Sequence, residues 1–232
     1  MFALVLRTSS TRAATATLLT ALALAGPARA QAPTVEIVPA FSARSILPGQ
    51  RFTVSGTLPG GAADAGRAVQ LFEARAPFQG ATYAMVAGAT AGPSGEFSFP
   101  VLPVFKAYWA VVAPETAGGP REASQGYLVA VRRKVSIRTS TRRPRAGAPV
   151  RFSGFVSPAF TLGPDAVATL QRRNRRGGFS DVRSVLMRAA GPVSSYRMRV
   201  RVRRAGVFRV LVPSTPTFSQ GASVAVAIHV RR

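Results

Sequence analysis

Apolar and polar residues alternate along several segments of the chain. In residues 196–202 the even positions are apolar and the odd positions are arginine, and Phe208–Val212 shows a similar alternation. A period of two places one set of side chains on the buried face of a strand and the other on its solvent face. Turn-forming Gly and Pro residues separate these segments, and no convincing helical period follows residue 30. The pattern predicts short antiparallel β-strands.

The chain also repeats itself at an offset of 98 to 100 residues. Gly49–Pro59 is similar to Gly147–Pro158, Ala91–Pro93 recurs as Ala190–Pro192, and both copies end in Val-Arg-Arg, at 131–133 and 230–232. About seven predicted strands per copy are typical of an immunoglobulin-like (Ig-like) antiparallel β-sandwich. The predicted fold is therefore all-β, with two tandem Ig-like sandwiches at residues 31–133 and 134–232. Because no flexible linker separates the copies, we expect a stiff connection.

The first thirty residues have the layout of a cleaved N-terminal signal peptide. Arg7 and Arg12 precede an apolar stretch at 13–25, and Ala28-Arg29-Ala30 offers a small-x-small cleavage pattern. The apolar stretch is shorter than the roughly 20 residues of a spanning helix. We therefore expect a secreted protein that starts at Gln31 and has no transmembrane span in its mature chain. An uncleaved N-terminal anchor is the alternative.

Short motifs with glycine and aromatic residues mark the predicted strands B, C, E and F. They are Phe152-Ser153-Gly154-Phe155-Val156, Leu170-Gln171-Arg172-Arg173, Gly95-Glu96-Phe97-Ser98-Phe99 and Gly206-Val207-Phe208-Arg209. With these motifs each copy resembles the Ig-like repeats of secreted bacterial envelope proteins. Such modules serve as spacers, adhesins and enzyme accessories, so the resemblance implies a fold and an envelope location but no single function.

The composition removes most catalytic chemistry. The chain has no Cys, which excludes disulfides, thiolate metal sites and cysteine nucleophiles. Its single His, His229, excludes nearly all Ser-His-Asp and multi-His metal sites. Asp165 and Asp181 lie at predicted strand starts or turns, which favours ordinary turn chemistry over a glycosidase pair. We therefore expect a protein that is not an enzyme and that binds no metal or cofactor.

Most of the net positive charge lies in the second copy. The chain carries a formal net charge of +23, and residues 134–232 hold 20 basic residues against two acidic ones, compared with eight against six in residues 34–133. Arg197, Arg199 and Arg201 align with Ser98, Pro100 and Leu102 of the first copy. The first copy thus builds the same strand without charge, so folding does not require these arginines.

The candidate anion-binding residues form a ladder on strand E, a neighbour on strand B and a cluster at the hairpin between strands C and C′. They are Arg151, Arg172, Arg173, Arg175, Arg176, Arg197, Arg199, Arg201 and Arg203. A guanidinium forms two parallel hydrogen bonds with phosphate, sulfate or carboxylate. A further group, Arg142–Arg145, precedes strand B. The competing interpretation is a solvated basic surface without a ligand, in which codon bias accounts for the many arginines.

The sequence therefore predicts a secreted, non-catalytic protein of the cell envelope whose basic second copy binds an anionic cell-surface polymer or lipid headgroups. Nucleic acid would bind it non-specifically through counterion release. One alternative is a structural spacer or adhesin that acts through a protein partner. Another is an accessory module that contacts carbohydrate near Trp109.

Overall fold

Short strands with two-residue alternation make up most of the chain. The computed structural model describes residues 35–116, 120–161 and 163–231, and the predicted signal peptide lies outside them. The described protein is all-β, as predicted, apart from one short 3-10 helix at Gly61–Asp64. The strands of the first half are β1 (Val35–Glu36), β2 (Ala40–Phe41), β3 (Ser45–Ile46), β4 (Phe52–Thr57), β5 (Ala68–Arg75), β6 (Ala84–Thr90), β7 (Glu96–Val101), β8 (Ala107–Ala113), β9 (Glu122–Ala123) and β10 (Tyr127–Val131).

The second half repeats this alternation of short and long strands. Its strands are β11 (Lys134–Val135), β12 (Arg138–Thr139), β13 (Pro149–Ser157), β14 (Val167–Arg173), β15 (Phe179–Leu186), β16 (Arg188–Ala190), β17 (Val193–Arg201), β18 (Gly206–Val212), β19 (Gly221–Ala222) and β20 (Val226–Ile228).

Two sheets pack around a core in each half. In the first half, β2-β4-β7 packs on a larger sheet that contains β5, β6, β8, β9 and β10, and Phe52 meets Trp109 between them at a centroid distance of 5.5 Å. In the second half, β11-β13-β17-β16, with β12, packs on β15-β14-β18-β19, with β20. Phe152 and Phe208 meet there at 5.4 Å. Burial of one face of each sheet explains the two-residue period of the sequence.

One glycine on an inner strand in each half, β4 and β13, is required by a close approach. Gly56 lies opposite Phe97, and Gly154 lies opposite Tyr196. A Cβ on Gly56 would lie 2.7 Å from the Phe97 ring. A Cβ on Gly154 would lie 2.1 Å from the carbonyl oxygen of Ser136. The glycine of the strand-B motif therefore leaves room for an aromatic side chain or a neighbouring backbone.

Replacing Gly154 by alanine is expected to lower the free energy of unfolding by about 2 kcal/mol or more, because backbone must move to admit the methyl group. Gly163→Ala is the matched control, since no atom lies within 4 Å of a Cβ built there. Urea unfolding followed by circular dichroism measures both variants. Equal destabilisation by the two would show that close approach does not require the glycine.

The same hydrogen bonds to serine hydroxyls occur in both halves. The amide of Thr53 donates to the Ser42 hydroxyl at 2.8 Å, and the amide of Arg151 donates to the Ser140 hydroxyl at 3.0 Å. Similarly, Ser124 accepts from the Val111 amide and Ser223 accepts from the Val210 amide, both at 2.9 Å. These serine pairs are separated by 98 and 99 residues, which is also the offset between the similar sequence segments.

The two halves share contacts beyond their direct connection. Phe218, in the loop after β18, is part of the hydrophobic core of the first half and meets the Phe105 ring edge-on at 5.5 Å. The Lys106 amide donates to the carbonyl oxygen of Thr217, and the Ser219 amide donates to that of Val131. The described strands from β1 onward accordingly belong to one compact unit.

Candidate anion-binding surface

The register of β13 and β17 brings four arginines of the predicted site together. Arg197, Arg199 and Arg201 are exposed and alternate with the buried Tyr196 and Met198 along β17. Antiparallel pairing with β13 places Arg151 directly opposite Arg199. Directly opposite residues have their Cβ atoms about 4.5–5.5 Å apart, so the two guanidinium groups share one patch of surface.

Three further cations extend this patch onto the neighbouring strands. Arg138 lies opposite Ser153 and Lys134 opposite Ser157 on one side, and Arg188 lies opposite Ser195 on the other. We call the outer surface of these strands the basic face. Its members are Lys134, Arg138, Arg151, Arg188, Arg197, Arg199 and Arg201, all of them exposed.

The basic face has no internal compensation. The strands that form it contain no Asp or Glu. Among the described residues the ion pairs are Arg67 with Asp64, Arg67 with Glu122 and Arg75 with Glu73, all in the first half. Like charges directly opposite each other across strands are destabilising, by a few tenths of a kcal/mol per pair. A bound anion would relieve this repulsion.

The corresponding surface of the first half is nearly neutral. There Thr53 lies opposite Pro100 and Ser55 opposite Ser98, while Glu96 supplies a negative charge opposite Thr57. Since Gly56–Phe97 and Gly154–Tyr196 are matching cross-strand pairs, Thr53 corresponds to Arg151 and Ser98 to Arg197. The sheet therefore folds with small uncharged side chains at these positions.

Of the remaining predicted arginines, two form side-chain hydrogen bonds with backbone carbonyl groups, and three are exposed and form no such bond to a described residue. Arg172 is half-buried and donates to the carbonyl oxygen of Ala205 at 2.7 Å. Arg173 donates to the carbonyl oxygen of Gly177 within its own hairpin at 3.2 Å. Arg175 and Arg176 are exposed at the tip, and Arg203 is exposed two residues beyond the end of β17. The structure does not place these five on the basic face.

The hairpin strand β15 reaches the edge of the basic face. The Nη1 atom of Arg183 donates to the carbonyl oxygen of Arg199 at 2.6 Å. A groove of about 530 Å³ lies along this contact, lined by Pro149, Val182, Arg183, Arg199, Val200 and Arg201. Val182 also lines the groove beside the hairpin arginines, so the two basic regions adjoin through β15.

Three polar residues on the outer surface of the other sheet pair with one another. Gln171 donates to Asp181 at 2.8 Å and accepts from Arg209 at 2.9 Å. The Arg209 guanidinium lies 3.9 Å from the centroid of the Phe179 ring. Asp181, near the start of β15, therefore belongs to a chain of hydrogen bonds that links β14, β15 and β18.

Several residues considered from sequence are placed away from any ligand site. The indole of Trp109 is 2% exposed, and Tyr108 is half-buried against the Phe78 ring at 4.7 Å. The Trp109 ring is therefore closed to a sugar. His229 is exposed, as its alternation predicts. Among the residues that the structure describes, no group of three or more His, Cys, Asp or Glu could hold a metal ion.

Comparison with known proteins gives no family. No family model matches the chain, and no curated protein matches it. Among solved structures, red sea bream transglutaminase is similar over 84% of this chain, with a TM-score of 0.48 and 11% identity. This chain covers 31% of that one, and a likeness at this level carries no argument about function. No helix in the described ranges has the length and apolarity needed to cross a membrane.

Proposed function

We propose that the protein is a secreted, non-catalytic tandem Ig-like protein of the cell envelope, whose second half binds an anionic polymer or surface. The observation that carries the proposal is the basic face, which gathers seven exposed cations from neighbouring strands with no acidic residue among them. Because the matching surface of the first half is almost uncharged, the requirements of folding do not account for these cations.

The duplicated Ig-like part of the proposal is supported by matched local structure. The Ser42 and Ser140 hydroxyls accept the same backbone hydrogen bond, and both lie beside a strand that carries the close-approach glycine. Two packed antiparallel sheets in each half fit an Ig-like sandwich. Secretion is proposed from the signal-like residues 1–30, which also explain why a polyanion outside the cytoplasm is the expected target.

The spacing of the cations favours a ligand with many charges. Successive outward residues along β17 lie about 6.5–7 Å apart, and neighbouring strands about 4.8 Å apart. A single small anion would meet two or three guanidinium groups, whereas a polyanion or a charged surface would meet the whole set. Each charged contact releases counterions, so the binding constant should fall steeply with salt.

The test compares salt dependence in two double variants of the chain from Gln31 onward. Arg151→Thr with Arg197→Ser introduces the residues found at the matching positions of the first half. It should reduce the slope of log K against log salt on immobilised heparin by about 1.5, because about 0.7–0.9 is lost per contact. Arg51→Ser with Arg121→Ser removes the same charge from exposed positions in the first half and should leave the slope nearly unchanged.

The whole chain is used because Phe218 ties the halves together. Equal loss of slope in the two double variants would contradict a dedicated surface and leave only net charge. Cross-linking of a protein partner that persists at high ionic strength, with both slopes unchanged, would instead favour the spacer or adhesin function.

A further inference from the structure

One aromatic side chain stands on the basic face. Phe155, on β13, points to the solvent side of the sheet and is 50% exposed. Its four nearest neighbours on this surface are all serines. They are Ser136, between β11 and β12, Ser195 on β17, and Ser153 and Ser157 along its own strand. Because serine is small, the Phe155 ring projects above the surface around it.

Cations surround this aromatic residue at the next distance out. Lys134, Arg138 and Arg197 occupy positions diagonal to Phe155 on the adjoining strands, where Cα separations are about 7–8 Å. Arg188 lies one strand further, opposite Ser195. The first half has Thr57 at the position of Phe155, opposite Glu96. Within the described chain, the projecting phenyl group and the cations around it thus occur together only in the second half.

This arrangement fits a flat, deformable and negatively charged surface. Side chains on a strand stand roughly perpendicular to the sheet, so the outer end of the Phe155 side chain faces an approaching ligand. A sugar ring stacks on the flat side of an aromatic residue, whereas a lipid interface admits a ring end-on among its apolar chains. Cations around an apolar residue match headgroups around an inserted side chain.

We propose that the basic face docks on an anionic lipid surface, with Phe155 inserted at the boundary between headgroups and acyl chains. The inference rests on the proposed function and names the class of its ligand. Lys134, Arg138, Arg188 and Arg197 contact headgroup phosphates around the inserted ring. The remaining arginines of the basic face, Arg151, Arg199 and Arg201, extend the headgroup contact along β13 and β17.

The first experiment measures co-sedimentation with phosphatidylcholine vesicles that contain or lack phosphatidylglycerol. Phe155→Thr installs the residue of the matching first-half position and should weaken partition into the anionic vesicles about fivefold, because a half-buried phenyl ring is lost from the interface. Val224→Thr is the matched control, since Val224 is 76% exposed but lies outside the strands of the basic face. Its partition should stay unchanged.

The second experiment reports insertion directly. Phe155→Trp adds an exposed indole to a chain whose single Trp, Trp109, is 2% exposed and supplies a constant background. Anionic vesicles should shift the emission of the new indole to shorter wavelength, and lipids brominated on their acyl chains should quench it. Neutral vesicles should do neither.

The outcomes separate the two proposals. If the unaltered chain binds neither heparin nor anionic vesicles, the proposed function fails. If it binds both, but Phe155→Thr changes nothing and the indole of Phe155→Trp is not quenched, the lipid inference is overturned while the proposed function stands. Binding to heparin without binding to anionic vesicles identifies a polymer as the ligand and also overturns the inference.

Discussion

Replacing Phe218 by alanine is expected to destabilise the first half of the protein, although Phe218 belongs in sequence to the second half. Its ring is 4% exposed and packs in the first core against Phe105. Removing a buried phenyl ring costs about 3–5 kcal/mol, through lost burial and the cavity that remains. The loss should therefore appear in the core that contains Trp109.

Trp109 makes this expectation measurable, because it is the only Trp of the chain and lies in the first core. Urea unfolding followed by its fluorescence reports the first half, while circular dichroism reports both halves. In Phe218→Ala the unfolding midpoint detected by fluorescence should move to a lower urea concentration. The free energy of unfolding calculated from it should fall by the full amount of about 3–5 kcal/mol, which is the cost of removing a buried phenyl ring. Val224→Thr should leave it in place, since Val224 is 76% exposed. An unmoved fluorescence midpoint in Phe218→Ala would show that the halves fold independently.

Alternation along long strands made the centre of the basic face predictable. On β17 the strict exchange of apolar and charged residues fixes which side chains face the solvent, and strand order then places Arg151 beside Arg199. Both follow from the two-residue period and from the neighbouring positions of strands B and E in a sandwich. Comparison with the similar but uncharged segment of the first half then indicated that folding does not require these arginines.

The flanks of the basic face were not predictable in the same way. Lys134, Arg138 and Arg188 lie on strands of two or three residues, which are too short to show a period. Their side of the sheet is fixed by pairing with β13 and β17, which is a long-range property. A signal did exist for Phe155, whose position in the strand-B motif is outward by alternation from Phe152.

The sequence also did not predict which arginines are buried by contacts with other strands. Arg172 belongs to a run of basic residues, yet its guanidinium is held by Ala205 beside Gly206. A Cβ on Gly206 would lie 2.5 Å from the Nε atom of Arg172, so the glycine creates the space that holds it. This contact depends on the pairing of β14 with β18, so the local pattern of charge does not reveal it.

Arg133 is the most deeply placed of these arginines, and it lies where the two cores meet. The side chain is 4% exposed, and its guanidinium carbon lies 3.8 Å from the centroid of Phe160 and 4.4 Å from that of Phe218. It donates to the carbonyl oxygen of Pro158 and to the hydroxyl of Thr215. Among the described residues no carboxylate pairs with it. Packing between two aromatic rings therefore holds this cation in place.

The size of the Arg133 side chain should matter more than its charge. Arg133→Ala leaves a gap between the Phe160 and Phe218 rings and is expected to cost about 2–4 kcal/mol. Arg133→Met fills most of the same volume without a buried charge, so it should cost less than about 1 kcal/mol or stabilise the protein. Urea unfolding measures both, because a guanidinium denaturant would screen the charge under study. Equal losses in the two variants would assign the contribution to the charge and its hydrogen bonds.

The charge of Arg133 should nevertheless be visible at high pH. Burial lowers the pKa of Arg133 to about 10, well below its ordinary value. Below that pKa the group is charged in both the folded and the unfolded chain, so the stability difference between the unaltered protein and Arg133→Met is constant. Above it the folded state releases the proton first and the unfolded state binds more protons. The unaltered protein should then gain stability relative to Arg133→Met, by at most about 1.4 kcal/mol per pH unit. A difference that stays flat from about pH 8 to pH 11 in urea unfolding would show that the guanidinium remains charged between the rings.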